Sequence, residues 1–180
     1  MSVSIKTARE IELMRHAGML LEKVHDELAN ALKPGMSTWE IDHLGEEIIR
    51  SFGCVPNFLH YNGYPASFLN YQGYPASVCI SINDEVVHGI PDKHRCLEEG
   101  DIVSLDAGLI YKGYHSDAAR THAVGEISKE AAQLIKVTRE SFFEGIKYAK
   151  AGNHLHQISA AIGNYAESFG YGVVRELVGH

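Results

Sequence analysis

Asp106 and Asp117 flank Tyr111-Lys112-Gly113, a glycine-containing break between two runs of β-forming character, 102–110 and 114–124. That pattern predicts a β-hairpin. With Lys112-Gly113 as the turn, Asp106 falls opposite Ala119 and Asp117 opposite Gly108, so the two aspartates share one face as diagonal neighbours. A bulge would change the count. Their surroundings, Ser104-Leu105-Asp106-Ala107-Gly108 and Ser116-Asp117-Ala118-Ala119, are small or apolar. Two carboxylates facing inward there repel each other and lose hydration unless a cation holds them. The pair is a candidate for one metal ion or two adjacent ions; the alternative is two solvated or backbone-capping aspartates. His115 has the parity of Asp117 and could join it, whereas His122 has the opposite parity and could not.

Other residues offer chemistry only in company. His88 ends the apolar run Val86-Val87 and precedes Gly89, a residue that admits close backbone or ligand approach; alone it reads as a core histidine bonded to a carbonyl. His180 follows Glu176-Leu177-Val178-Gly179 and alone reads as an exposed terminal residue. Tyr71, Tyr74 and Cys79 could line an apolar pocket or be plain core.

The elements that must position these groups are legible to a degree. Thr7-Ala8-Arg9-Glu10 and Ser37-Thr38-Trp39-Glu40 are capping boxes, each opening a helix. The first has the stripe Ile11, Met14, Ala17, Leu21, Val24 and Leu28 and stops at Lys33-Pro34-Gly35; the second has Ile41, Leu44, Ile48 and Phe52 and stops at Gly53. Val78, Ile80 and Ile82 alternate as a strand, Asn83-Asp84 suits a turn, and Val86-Val87 resumes the strand. After the hairpin, Ser128 caps a helix with the face Leu134, Ile135, Thr138, Phe142 and Ile146. Asn153 caps another, with Ile158, Ala161, Ile162, Tyr165 and Phe169 before Gly170, and 171–178 reads as a last strand. The order ααβββααβ is an α+β layout, with helices on an antiparallel sheet.

The chain has 180 residues, 45% apolar and 22% charged, with 16 basic against 23 acidic residues and a net charge of −7. That is one globular domain, 1–180, with too little basic charge for a nucleic-acid partner. Charges interrupt the first twenty residues, and no apolar run approaches a membrane span, so a cytoplasmic protein with no membrane partner is expected. Three widely spaced cysteines, Cys54, Cys79 and Cys96, argue against a disulfide framework or a cysteine-rich zinc site. Residues 58–67 and 68–77 form a tandem duplication, identical at eight of ten positions, too short for a solenoid.

The strings Asn83-Asp84-Glu85-Val86-Val87-His88-Gly89-Ile90-Pro91, Gly100-Asp101-Ile102-Val103-Ser104-Leu105-Asp106, Tyr114-His115-Ser116-Asp117-Ala118-Ala119-Arg120-Thr121 and Val178-Gly179-His180 resemble, in order, the type I methionine aminopeptidases. The resemblance runs over nearly the whole chain. It implies the pita-bread fold, an antiparallel sheet with helices on one face, with the second half incomplete. It also implies Asp106, Asp117 and His180 as ligands of two divalent ions (Co, Mn, Fe or Zn), His88 at the scissile amide, and Tyr71, Tyr74 and Cys79 around a methionine side chain. The expected activity is removal of the N-terminal methionine from nascent proteins, with methionyl peptides as substrate and the ribosome as a candidate partner, and with this chain by itself expected to be impaired or inactive. Two further glutamate ligands and a second substrate-contacting histidine of that family lie beyond the last residue of this chain. The competing readings are a non-catalytic pita-bread module that binds peptides or a protein, and a related prolidase-type peptidase.

Overall fold

The computed structural model describes residues 4–58 and 75–177. Its first compact unit is Met1–Glu126 and its second is Ile127–His180.

In the first unit, helix α1 (Ala8–Ala31) starts where Thr7 accepts from the Glu10 amide and Glu10 accepts from the Thr7 amide. Helix α2 (Thr38–Ser51) starts with the same reciprocal pair, Ser37 and Glu40. Four strands follow: β1 (Val55–Pro56), β2 (Val78–Ile82), β3 (Ile102–Tyr111) and β4 (Tyr114–Ala123). All pair antiparallel through β3, which carries β4 along one edge and β1 and β2 along the other. The turn residues Lys112 and Gly113 both have positive φ, 50° and 85°, the signature of a two-residue turn whose twist matches the strands.

Apolar residues of α1 (Ala17, Leu21, Val24, Leu28) and α2 (Ile41, Ile48, Ile49) pack with Val103, Leu105, Ala107 and Leu109, the odd positions of β3. Strand alternation puts the even positions, Asp106 among them, on the opposite face. Ile11 and Met14, counted in the stripe of α1, are exposed: they lie in its first two turns, before the buried positions begin at Ala17.

In the second unit, helix α3 (Lys129–Ile146) is capped by Ser128, and helix α4 (Leu155–Ser168) lies against it. A Cβ on Gly145 would come within 2.5 Å of Ile162 Cγ1, so glycine permits the close approach. The buried positions of α3 are Val137, Ser141 and Gly145, while Leu134, Phe142 and Ile146 of the expected face are exposed. Gly145, which apolar periodicity underweights, makes this contact.

Three expectations are corrected. Val86-Val87 forms no strand and both residues are exposed. The outer edge of β2 is taken instead by Gly89, whose carbonyl accepts from the Ile80 amide. His154, not Asn153, is the cap of α4: the Asn153 side-chain amide donates to the Tyr148 carbonyl, and Gln157 accepts from the His154 backbone amide. Residues 171–177 are irregular rather than a strand, and β1, too short for periodicity, precedes β2 unforeseen. The duplicated segment lies mostly outside the described residues, as do Tyr71, Tyr74 and His180.

Candidate metal centre

The β3–β4 register pairs Asp106 with Ala119 and Gly108 with Asp117, so no bulge intervenes and the two carboxylates lie on one face. Diagonal neighbours of this kind stand on the order of 7 Å apart at Cβ, within reach of a shared ion for side chains of this length. The face is the one turned away from α1 and the core. Cys79 pairs directly with Asp106 across β2–β3 and is buried beside it on the same face. Ser104 and Thr121 continue the face with a hydroxyl–hydroxyl bond of 2.7 Å.

The start of β2 is pinned from α2. Asp42 is buried, and its Oδ1 accepts from the amides of Ser77 and Val78, both at 2.8 Å. Burial nevertheless pushes its carboxyl above the ordinary range, with the two amides acting against that rise.

His88 belongs to an irregular segment that folds back along β2. It is exposed and has φ of 60°, a left-handed conformation that histidine adopts at some cost. Its neighbour Gly89 donates to Ser81 Oγ at 3.1 Å, and its carbonyl accepts from the Ile80 amide at 2.9 Å. A Cβ on Gly89 would sit 2.0 Å from the Ile80 carbonyl oxygen, so the close approach read from the sequence is made by backbone. Glu85 braces the same segment, taking both guanidinium nitrogens of Arg95 and the Ile82 amide. The bond to Arg95 holds its carboxyl below the usual range. The structure thus sets His88 beyond β2, about two strand spacings, or 10 Å, from the backbone of β3.

The remaining histidines separate by parity. His115, on the face of Asp117, shares a 3.1 Å bond from its Nδ1 with Asn57 Oδ1. His122 lies on the helix-bearing face, and desolvation lowers its pKa. His25, fully buried on α1, bonds through Nε2 to the Ala118 carbonyl at 2.9 Å. Burial drives its pKa down to about 4. The sequence reading missed His25, although it stands four residues after Leu21 and three before Leu28 in the buried stripe. It also missed Asn57, for which Gly108 inside a strand was the available sign of a close approach.

Among the described residues no three His, Cys, Asp or Glu side chains gather into a metal cluster; His180 is outside them. The donor set that is described still fits a divalent ion. Oδ1 of Asp106 and Oδ1 of Asp117 are both shut off from solvent on one sheet face. Two hard anionic oxygens withdrawn from water together favour a cation of matching hardness.

The sequence profile of metallopeptidase family M24 matches residues 12–180. The methionine aminopeptidase of Clostridium acetobutylicum is 53% identical over 178 residues, 99% of this chain and 67% of its own length. The crystal structure of methionine aminopeptidase from Thermotoga maritima superposes with a TM-score of 0.89 at 38% identity, over 99% of this chain and 68% of that one. Prolidase from Pyrococcus furiosus shares the fold, with a TM-score of 0.77 at 22% identity over 93% of this chain and 45% of its own. The chain belongs to metallopeptidase family M24. Within that family of metal-dependent hydrolases its relatives are methionine aminopeptidases, of whose length it spans about two thirds. The α+β pita-bread architecture expected from the motifs is that of these neighbours. No helix among the described residues is long and apolar enough to cross a membrane.

Proposed function

We propose that this chain carries metal-binding and substrate-binding elements of a methionine aminopeptidase that removes the initiator methionine from nascent proteins. The observation that carries the reading is the β3–β4 register, which sets Asp106 and Asp117 on one face with an oxygen of each withdrawn from water. Asp106, Asp117 and His180 are the ligands, for two divalent ions drawn from Co, Mn, Fe and Zn. Such ions, when bound, polarise a peptide carbonyl and make water acidic enough to attack it near neutral pH. His88 meets the scissile amide and helps move its proton, held for that task by the Gly89–Ile80 bond and the Glu85–Arg95 brace. Cys79, with Tyr71 and Tyr74, bounds the pocket for the methionine side chain, where burial beside Asp106 supports its role. The profile match across both compact units supports 1–180 as one aminopeptidase-like domain. The same reading makes the ribosome a partner and the cytoplasm the place of action.

Calorimetric titration with Mn2+, followed by release of methionine from a methionyl peptide, tests the assignment on the parent, Asp106→Asn and Asp117→Asn. Metal uptake falls at least about tenfold on either substitution, and any methionine release falls with it. Equal uptake by all three proteins would refute it.

A further inference from the structure

We propose that Asn57 is a positioning residue that fixes the Asp117 carboxylate against Asp106, an inference that rests on the metal-site reading above. Asn57 is 1% exposed, and a buried amide is tolerated only where its polar atoms are bonded. Its backbone N–H donates to the Gly108 carbonyl at 2.9 Å. Its side chain then crosses β3 to β4, where Nδ2 donates to the Ser116 carbonyl at 3.2 Å and Oδ1 meets His115 Nδ1 at 3.1 Å. One asparagine therefore ties three strands together at the two residues that precede Asp117.

The crossing is possible only over glycine. A Cβ on Gly108 would lie 2.4 Å from Asn57 Nδ2, 3.0 Å from Asn57 Cβ and 2.8 Å from Asp117 Oδ1. The amide and the carboxylate flank one small volume, and any side chain at Gly108 would push both. The need is set by topology. The Gly108 carbonyl is turned toward Asn57, so Gly108 and Asp117 form a pair without mutual backbone bonds. The backbone of Asp117 thus faces the outer edge of β4, a strand that pairs with β3 alone among the described residues. Edge strands are the regions of a sheet least restrained by pairing, and the bonds from Asn57 supply restraint one and two residues away.

The bonding also dictates a proton position. The Ser116 carbonyl can only accept, so the nitrogen end of the Asn57 amide faces it and the oxygen end faces His115. That oxygen can only accept, so neutral His115 carries its proton on Nδ1.

Two measurements on the full chain test the proposal. Mn2+ binding, read from the free-ion electron paramagnetic resonance signal, is compared in the parent, Asn57→Ala, Gly108→Ala and Asp117→Asn. The tautomer of His115 is read from long-range 1H–15N correlations at pH 8. We expect Mn2+ affinity to fall about tenfold to a hundredfold in Asn57→Ala and Gly108→Ala, with far-ultraviolet circular dichroism unchanged. We also expect the parent to show the Nδ1–H tautomer, and Asn57→Ala to lose that preference, a change that a general loosening of the fold would not single out. Affinity lost in Asp117→Asn but kept in Asn57→Ala would overturn the positioning role alone. Affinity kept in Asp117→Asn, or no binding by the parent, would overturn the metal-site reading and this inference with it. An Nε2–H tautomer in the parent overturns the inference even if no variant folds.

Discussion

Acidification should weaken this protein through His25 by an amount the structure defines. His25 is fully buried against β4, with Arg120, His122 and Asp26 as the charged or titratable groups near it, and its pKa stands at about 4 against 6.5 for a free side chain. Folded chains therefore hold His25 neutral where unfolded chains have begun to bind the proton. Stability rises with pH wherever the unfolded state binds more protons, so here it is lost as pH falls below about 6.5 and the loss is complete below about 4. At about 1.36 kcal/mol per pH unit of that gap, the full effect is about 3 kcal/mol, of which about 2 kcal/mol has gone by pH 5. The variant His25→Gln keeps a donor for the Ala118 carbonyl and removes the titration. Urea unfolding of both proteins at pH 7 and pH 5 isolates the contribution, since His122, also depressed by burial, is common to both. The parent should lose about 2 kcal/mol more than His25→Gln over that interval. Equal losses would refute the reasoning and mean that His25 is hydrated or charged in the folded chain.

Gly89→Ala should destabilise the chain by about 3 kcal/mol, read by urea unfolding, because its Cβ would meet the Ile80 carbonyl oxygen at 2.0 Å and break the hydrogen bonds that Gly89 makes to Ile80 and Ser81. Asp42→Ala should cost about 3 kcal/mol and Asp42→Asn clearly less, since only the alanine leaves the buried amides of Ser77 and Val78 without an acceptor; the ranking of the two melting temperatures checks this. Lys112→Asn should raise stability by about 0.5 kcal/mol, because asparagine tolerates the φ of 50° at the first turn position better than lysine does; a lower melting temperature would contradict the turn geometry.

Where chemistry follows from period and local bonding, the amino-acid order was enough. A strand alternates with period two, so a two-residue turn at Lys112-Gly113 determines which residues of β3 and β4 share a face. That Asp106, Asp117 and His115 share one face and His122 lies on the other followed from that count. Both capping boxes were readable for the same reason, since the bonds at Thr7 and Ser37 close within three residues. The motifs further carried the family, which the profile match bears out.

Tertiary structure decided what depends on partners distant in the chain. Val86-Val87 has strand composition, yet it is Gly89 that holds the outer edge of β2, because only a residue without Cβ can come so near the Ile80 carbonyl. Strand β1 exists because Val55 and Pro56 find Ile110 and Leu109 more than fifty residues away, a pairing for which two residues carry no periodic signal. Asn57 and His25 look like ordinary polar residues in sequence. Their roles arise because β3 brings a glycine under one amide, and the packing of α1 on β4 brings a carbonyl to one imidazole. Local rules assign residues to faces; only the packed chain determines which buried polar atom meets which partner, because that depends on contacts between segments the sequence keeps apart.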